Sequence, residues 1–174
     1  MTLTTYEAYF QTLASGALFG HTAQVPRFGM VSATEIEEGL KSTLNMADGF
    51  CLLLEKYEGS LSVNQSGHGQ KIKIGGVLIL KEVGRGDSTT IKSIQQAAEA
   101  LAEKLWAKLL YDLDQYTQNP AVPFALRNLD RTPIAFQFVE DLFDNAAGIR
   151  LEFTTRNRLS FTTLHNPADW TITP

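Results

Sequence analysis

The stretch from about Thr89 to Thr117 constrains this chain more than any other. Ile91, Ile94, Ala98, Leu101, Leu105, Leu109, Leu113 and Tyr116 recur at three- and four-residue intervals, which gathers them on one stripe of an α-helix. The predicted helix runs roughly seven to eight turns, about 40 Å. A stripe that long must be laid against something broad, and the strand-like segments on both sides supply a sheet. Asn119-Pro120-Ala121-Val122-Pro123 ends the helix, because proline has no N–H and clashes with the preceding turn. Trp106 and Leu110 fall beside the stripe and widen the apolar arc. A broad core face accounts for them; a surface for a second subunit is the sharper alternative.

The segments before this helix read as follows. Tyr6, Tyr9, Phe10 and Leu13 predict a first helix over about Thr4–Ala14, with Gly16 as its stop. Residues 15–30 are irregular, with apolar anchors at Leu18, Phe19, Val25 and Phe28. Ser32-Ala33-Thr34-Glu35 has the form of a capping box, and Ile36, Leu40 and Leu44 continue a second short helix to Asp48-Gly49. Phe50–Tyr57 is a buried strand. Gly59–Gln70 is polar and glycine-rich and reads as a long exposed loop, with a hairpin extension beyond the domain body as the main variant. Lys71–Val83 is a strand with Ile72, Ile74, Leu78 and Leu80 on one face, and Gly75-Gly76 marks a bulge or bend.

Two strands follow the long helix. Ile134, Phe136 and Phe138 alternate in the first; Ile149, Leu151 and Phe153 alternate with Arg150, Glu152 and Thr154 in the second, giving it one wet face. Asp144–Gly148 is the hairpin loop between them. The last strand either continues past Asn157 or folds back there. The expectation is a single α+β domain over residues 1–174, with an antiparallel sheet of four or five strands. The long helix crosses one face, and two short N-terminal helices cover an end or edge.

Composition narrows the function classes. The 174 residues are 44% apolar and 20% charged, as expected of a globular chain. A net charge of −4 argues against nucleic acid as a partner, because phosphate binding needs a basic face. No apolar run approaches the roughly 20 residues of a membrane helix. The start, Met1-Thr2-Leu3-Thr4-Thr5-Tyr6, lacks the basic and apolar regions of a signal peptide, so a cytoplasmic location is expected. Cys51, the only cysteine, lies in Phe50-Cys51-Leu52-Leu53-Leu54 and is expected to be a buried thiol.

The residues that carry chemistry elsewhere do not assemble into a motif here. His21, His68 and His165 are far apart, and none has a second ligand at metal-binding spacing. No Gly-x-Ser-x-Gly elbow is present. Glu140, Asp141 and Asp144 cluster at the closing hairpin, where solvation explains them more simply than a split-pKa acid–base pair. Gly84-x-Gly86 before the long helix lacks the further residues of a phosphate or dinucleotide loop. Arg85-Gly86-Asp87 spells an integrin-binding tripeptide, read as coincidence in a chain without an export signal. No catalytic, cofactor or metal residue is therefore assigned, and no cofactor is expected.

The order of elements adds one specific idea. It is carried by the aromatic first helix Tyr6-Glu7-Ala8-Tyr9-Phe10, by Val25-Pro26-Arg27-Phe28 leading into Glu35-Ile36-Glu37-Glu38-Gly39-Leu40, and by the closing pair Phe143–Phe153. In these the chain resembles tail-terminator or neck-type proteins of phages and of phage-derived contractile machines. The resemblance implies a non-enzymatic structural subunit that forms a ring-type homo-oligomer at the end of a tail tube or sheath and contacts tube or sheath proteins. The segment between Ser15 and Ser32 is longer than the minimal version of that fold needs. Two other functions stay open. One is a small-molecule or peptide binding module using a sheet face lined by Ile149, Leu151 and Phe153. The other is an enzyme with a scattered acid–base site of Glu140, Asp141 and His68.

Overall fold

The computed structural model describes residues 2–31, 43–63, 69–84, 88–121, 124–131, 135–143 and 145–159. Along them the chain runs α1 (Leu3–Ala14), β1 (Phe28–Val31), β2 (Cys51–Glu55), β3 (Glu58–Val63), β4 (Gly69–Glu82), α2 (Ser88–Gln118), β5 (Phe136–Leu142) and β6 (Ala146–Leu159). The six strands form one sheet in the order β1-β2-β4-β6-β5, with β3 on the β2 side of β4. β4 and β6 are its axis. They pair antiparallel over 14 residues each, from Gly69↔Leu159 to Glu82↔Ala146, a span of about 46 Å.

The α+β class and the long helix are as expected, and the helix extends a residue beyond each predicted end, to 31 residues. The sheet differs in two respects. It is mixed rather than antiparallel, because β1 runs parallel to β2, with Phe28 opposite Leu52 and Val31 opposite Glu55. Parallel neighbours need a crossover of a dozen or more residues, which residues 32–50 supply. β1 also escapes a pattern search: it is four residues long, contains Gly29 and follows Pro26. The expected helix from Ser32 lies largely outside the described residues. Its described end, Thr43–Gly49, is a run of bends and a single 3₁₀ residue.

The second difference is the polar stretch Gly59–Gln70, which takes the hairpin variant rather than the loop. β3 pairs antiparallel with the start of β4, from Glu58↔Ile74 to Val63↔Gly69. Gly59, Ser60 and Ser62 are poor strand formers, so the pairing is imposed by the long partner strand rather than by propensity. The result is a three-stranded arm built from β3 and the ends of β4 and β6. On the far edge of β6, Asp130 N–H donates to Thr154 O and Arg156 N–H donates to Asn128 O, and these bonds tie residues 128–130 to the arm's root.

Strand parity sorts the core. Leu52, Leu54, Val77, Ile79, Ile149, Leu151 and Phe153 point to one face and are buried beneath Tyr6 and Phe10 of α1 and Ala98, Ala102, Leu105 and Leu109 of α2. Phe10 stacks on Phe153 at 5.7 Å between ring centroids, with Tyr6 edge-on to Phe10 at 5.2 Å. Trp106 packs against the same core, as the broad-face reading expects. On the opposite face Val31, Met46, Cys51, Leu53, Leu78, Leu80 and Ala146 form a smaller buried cluster.

Gly75-Gly76 is not a bulge, since the β4–β6 register runs through it unshifted. Each glycine makes room on one face. A Cβ at Gly75 would lie 2.6 Å from the Tyr6 hydroxyl and 2.9 Å from the Phe153 ring; a Cβ at Gly76 would collide with the Glu55 carboxylate. The irregularity falls instead in β5, between Val139 and Leu142, where Asp141 takes a φ of 56°; Phe143, just past the strand, takes 52°. The closing turn is shorter than the predicted Asp144–Gly148 loop, since β6 begins at Ala146, and β6 runs on through Asn157 to Leu159 without folding back.

Candidate functional site

Two features of the described surface gather polar and apolar groups. The first lies on the face of the sheet away from the helices. Arg150, midway along β6, donates Nε to Glu55 Oε1 and Nη2 to Glu55 Oε2, both at 2.8 Å, and Nη1 to Glu152 Oε2 at 2.7 Å. Glu55 ends β2 and Arg150 belongs to β6, with β4 between them. The carboxylate crosses β4 over Gly76, where any side chain would block it. A bidentate arginine–carboxylate pair is among the stronger polar contacts, and it pushes the Arg150 guanidinium further above its ordinary pKa through the Glu55 hydrogen bonds, against partial burial. Beside it, Leu78, Gln137, Val139 and Leu142 line this face of an open depression of about 460 Å³ at the β5 margin.

This cluster joins strands rather than moving protons. Three of the five guanidinium N–H donors are committed to carboxylates, and one arginine facing two glutamates leaves the patch with a net negative charge. Its chemistry suits a cationic or hydrogen-bond-donating partner.

The second feature is a cleft of about 580 Å³ beside α1, walled by Thr2, Thr5, Ala8, Tyr9 and Thr12 from the helix and by Phe124, Ala125 and Arg127 opposite. Tyr9 lies edge-on to Phe124 at 5.4 Å, and its hydroxyl donates to Asp112 Oδ2 at 2.8 Å. Lys108 Nζ donates to the other oxygen of Asp112 at 2.6 Å. Burial, with the bond to Asp112, holds the Tyr9 phenol well above its ordinary pKa, so it is a fixed donor. The threonine hydroxyls serve the helix: Thr2 and Thr5 form its capping box and Thr12 donates to Ala8 O.

The residues singled out from sequence are dispersed. Cys51 is buried and its Sγ donates to Asn45 O at 3.4 Å; burial pushes the thiol up to about 12, with Arg27 opposing. The His21 Nδ1 accepts from the Arg27 backbone N–H at 3.0 Å, which explains it as part of the loop before β1. Arg27 itself donates to Phe19 O at 2.8 Å and lies against Gly49. Glu140 and Asp141 are exposed, and Glu140 accepts from Gln95 Nε2 of α2 at 3.0 Å. His68, His165, Asp144 and Arg85-Gly86-Asp87 lie outside the described residues. Ile149, Leu151 and Phe153 are buried under the helices, so they line no open groove.

Among the described residues no three His, Cys, Asp or Glu side chains are grouped to hold a metal ion, and no helix is long and apolar enough to cross a membrane. Sequence reading missed the Glu55–Arg150–Glu152 cluster. Its one available signal was a glycine pair in a strand, which also marks the close approach of another group. No protein-family model matches the chain, and no curated protein matches it.

Proposed function

We propose that this chain is a non-enzymatic structural subunit of a phage-tail-like assembly, terminator-like in role. It works as a ring-type homo-oligomer in contact with tube or sheath proteins, in the cytoplasm or within the particle. The observation that supports this reading is the projecting arm. β3 and the paired ends of β4 and β6 carry the sheet beyond the part covered by α2, at the expense of exposing Leu61 and Ile74 to solvent. An isolated domain gains little from such an extension, whereas a subunit that must hold a neighbour gains a lever with open strand edges. The sequence resemblance points to the same class of protein.

The test is sedimentation of lysate from the native host with this chain tracked across the gradient. Co-migration with megadalton particles that contain tube or sheath proteins is the expected result. Migration solely as the free chain, where such particles are abundant, would remove the reading.

A further inference from the structure

Two strand surfaces on the helix-bearing side carry three of the large apolar side chains that stay in solvent: Leu61 on the arm, Phe136 and Phe138 on β5. Single exposed apolar residues are ordinary. The two rings on β5 are neighbours, and the arm and β5 surfaces carry opposite charges. Phe136 and Phe138 sit opposite Leu151 and Ile149 of β6, which places their rings on the helix-bearing face. They lie at the sheet margin and remain 44% and 54% exposed. Glu140 continues that face, as its contact with Gln95 of α2 shows.

On the arm, Leu61 of β3 and Lys71 of β4 are direct cross-strand partners, so their side chains stand together. Parity along β4 puts them on the same helix-bearing face, in line with Lys73 and Val77. Leu61 is 66% exposed and Lys71 is exposed. Thus one surface offers an aliphatic side chain beside a cation, and the other offers two aromatic rings beside an anion.

A single copy cannot bring these surfaces together. β3 flanks β4 along residues 69–74, whereas β5 flanks β6 along residues 146–151, on the opposite edge and at the opposite end of the sheet. We propose that the arm of one copy docks on the β5 surface of the next, with Leu61 against Phe136 and Phe138 and Lys71 facing Glu140. The partner is a second copy of this chain, and in that respect the inference rests on the self-association reading above. Because the two surfaces differ, the contact is head-to-tail, and repetition closes a ring if the rotation between copies permits.

The experiment is sedimentation-velocity ultracentrifugation of the purified chain from nanomolar to high micromolar concentration. It compares wild type with an arm variant (Leu61→Asp with Lys71→Glu) and a β5 variant (Phe136→Ser with Phe138→Ser). All four positions are exposed, so circular dichroism should match wild type. Each variant is expected to self-associate at least about tenfold more weakly. An equimolar mixture of the two variants should form a dimer and stop there, because one intact arm then meets one intact β5 surface. Self-association of both variants at wild-type strength would overturn these surfaces while leaving the oligomer reading in place. Oligomers larger than a dimer in the mixture would also overturn them. A wild-type chain that stays monomeric throughout would overturn both the surfaces and the oligomer reading.

Discussion

Gly148 gives the sharpest test of the β4–β6 axis. It faces Leu80 across the ladder, and a Cβ placed there would overlap the Ile79 carbonyl oxygen, 3.0 Å from the carbonyl carbon and 3.1 Å from Leu80 Cα. Those are backbone atoms, so no side-chain rotation relieves the contact. Restoring van der Waals separation requires the two strands to part by about 1 Å. Overpacking of this kind costs about 1–3 kcal/mol. Weakening one or two ladder hydrogen bonds adds about 1 kcal/mol each. The lower unfolded-state entropy of alanine returns about 0.4–1 kcal/mol. The expected loss for Gly148→Ala is therefore about 2–4 kcal/mol, a large part of a typical domain's stability. Urea unfolding followed by far-UV circular dichroism would read this as a midpoint lowered by roughly 1–2 M at unchanged slope. Gly84→Ala is the matched control, since no heavy atom lies within 4 Å of its added Cβ; it should change stability by less than about 1 kcal/mol. Equal midpoints for the two variants would refute the strand packing described here.

Two further outcomes follow from named contacts. A double-mutant cycle on Glu55→Ala and Arg150→Ala should give a coupling of about 1–2 kcal/mol for a bidentate, half-buried pair. Gly76→Ala, by displacing Glu55, should remove most of it, and a coupling near zero in the Gly76→Ala background but not in the parent is the result to look for by urea titration. Cys51 should resist thiol reagents in the folded protein and react once it unfolds. Its pKa is raised from 9.0 to about 12 on folding, so the folded state holds the proton more tightly. The associated stability is present below pH 9 and lost as pH climbs from about 9 toward 12. Tyr6 and Tyr9, both raised by burial, add to the same loss above pH 10, and Cys51→Ala should flatten its early part in a pH series of unfolding midpoints.

The Glu55–Arg150–Glu152 cluster clarifies what a wet strand face can be. In sequence, Arg150 and Glu152 alternate with Ile149, Leu151 and Phe153 and read as solvated positions. In the fold Arg150 borders an open depression, holds Glu152 beside it and is tied to Glu55, 95 positions away in the chain. The spacing of charges along β6 was visible, whereas the partner that makes them a cluster was not. No local pattern encodes which strand ends next to β4, nor that Gly76 leaves a path over it.

Periodicity by itself determined α1, α2, the body of β4 and β6, and the burial of Cys51. Those features follow from how side chains repeat along a helix or strand, and that repeat is local. Tertiary structure decided the rest. β1 is too short to show a period and exists because β2 offers a parallel edge. β3 is made of residues with little strand preference and is held by the long partner that β4 provides. The exposure of Phe136 and Phe138, which sequence alternation would bury, depends on β5 lying at the margin of the sheet. Strand order and helix placement are set by contacts between residues far apart in the chain, and the pattern of any one segment does not contain them.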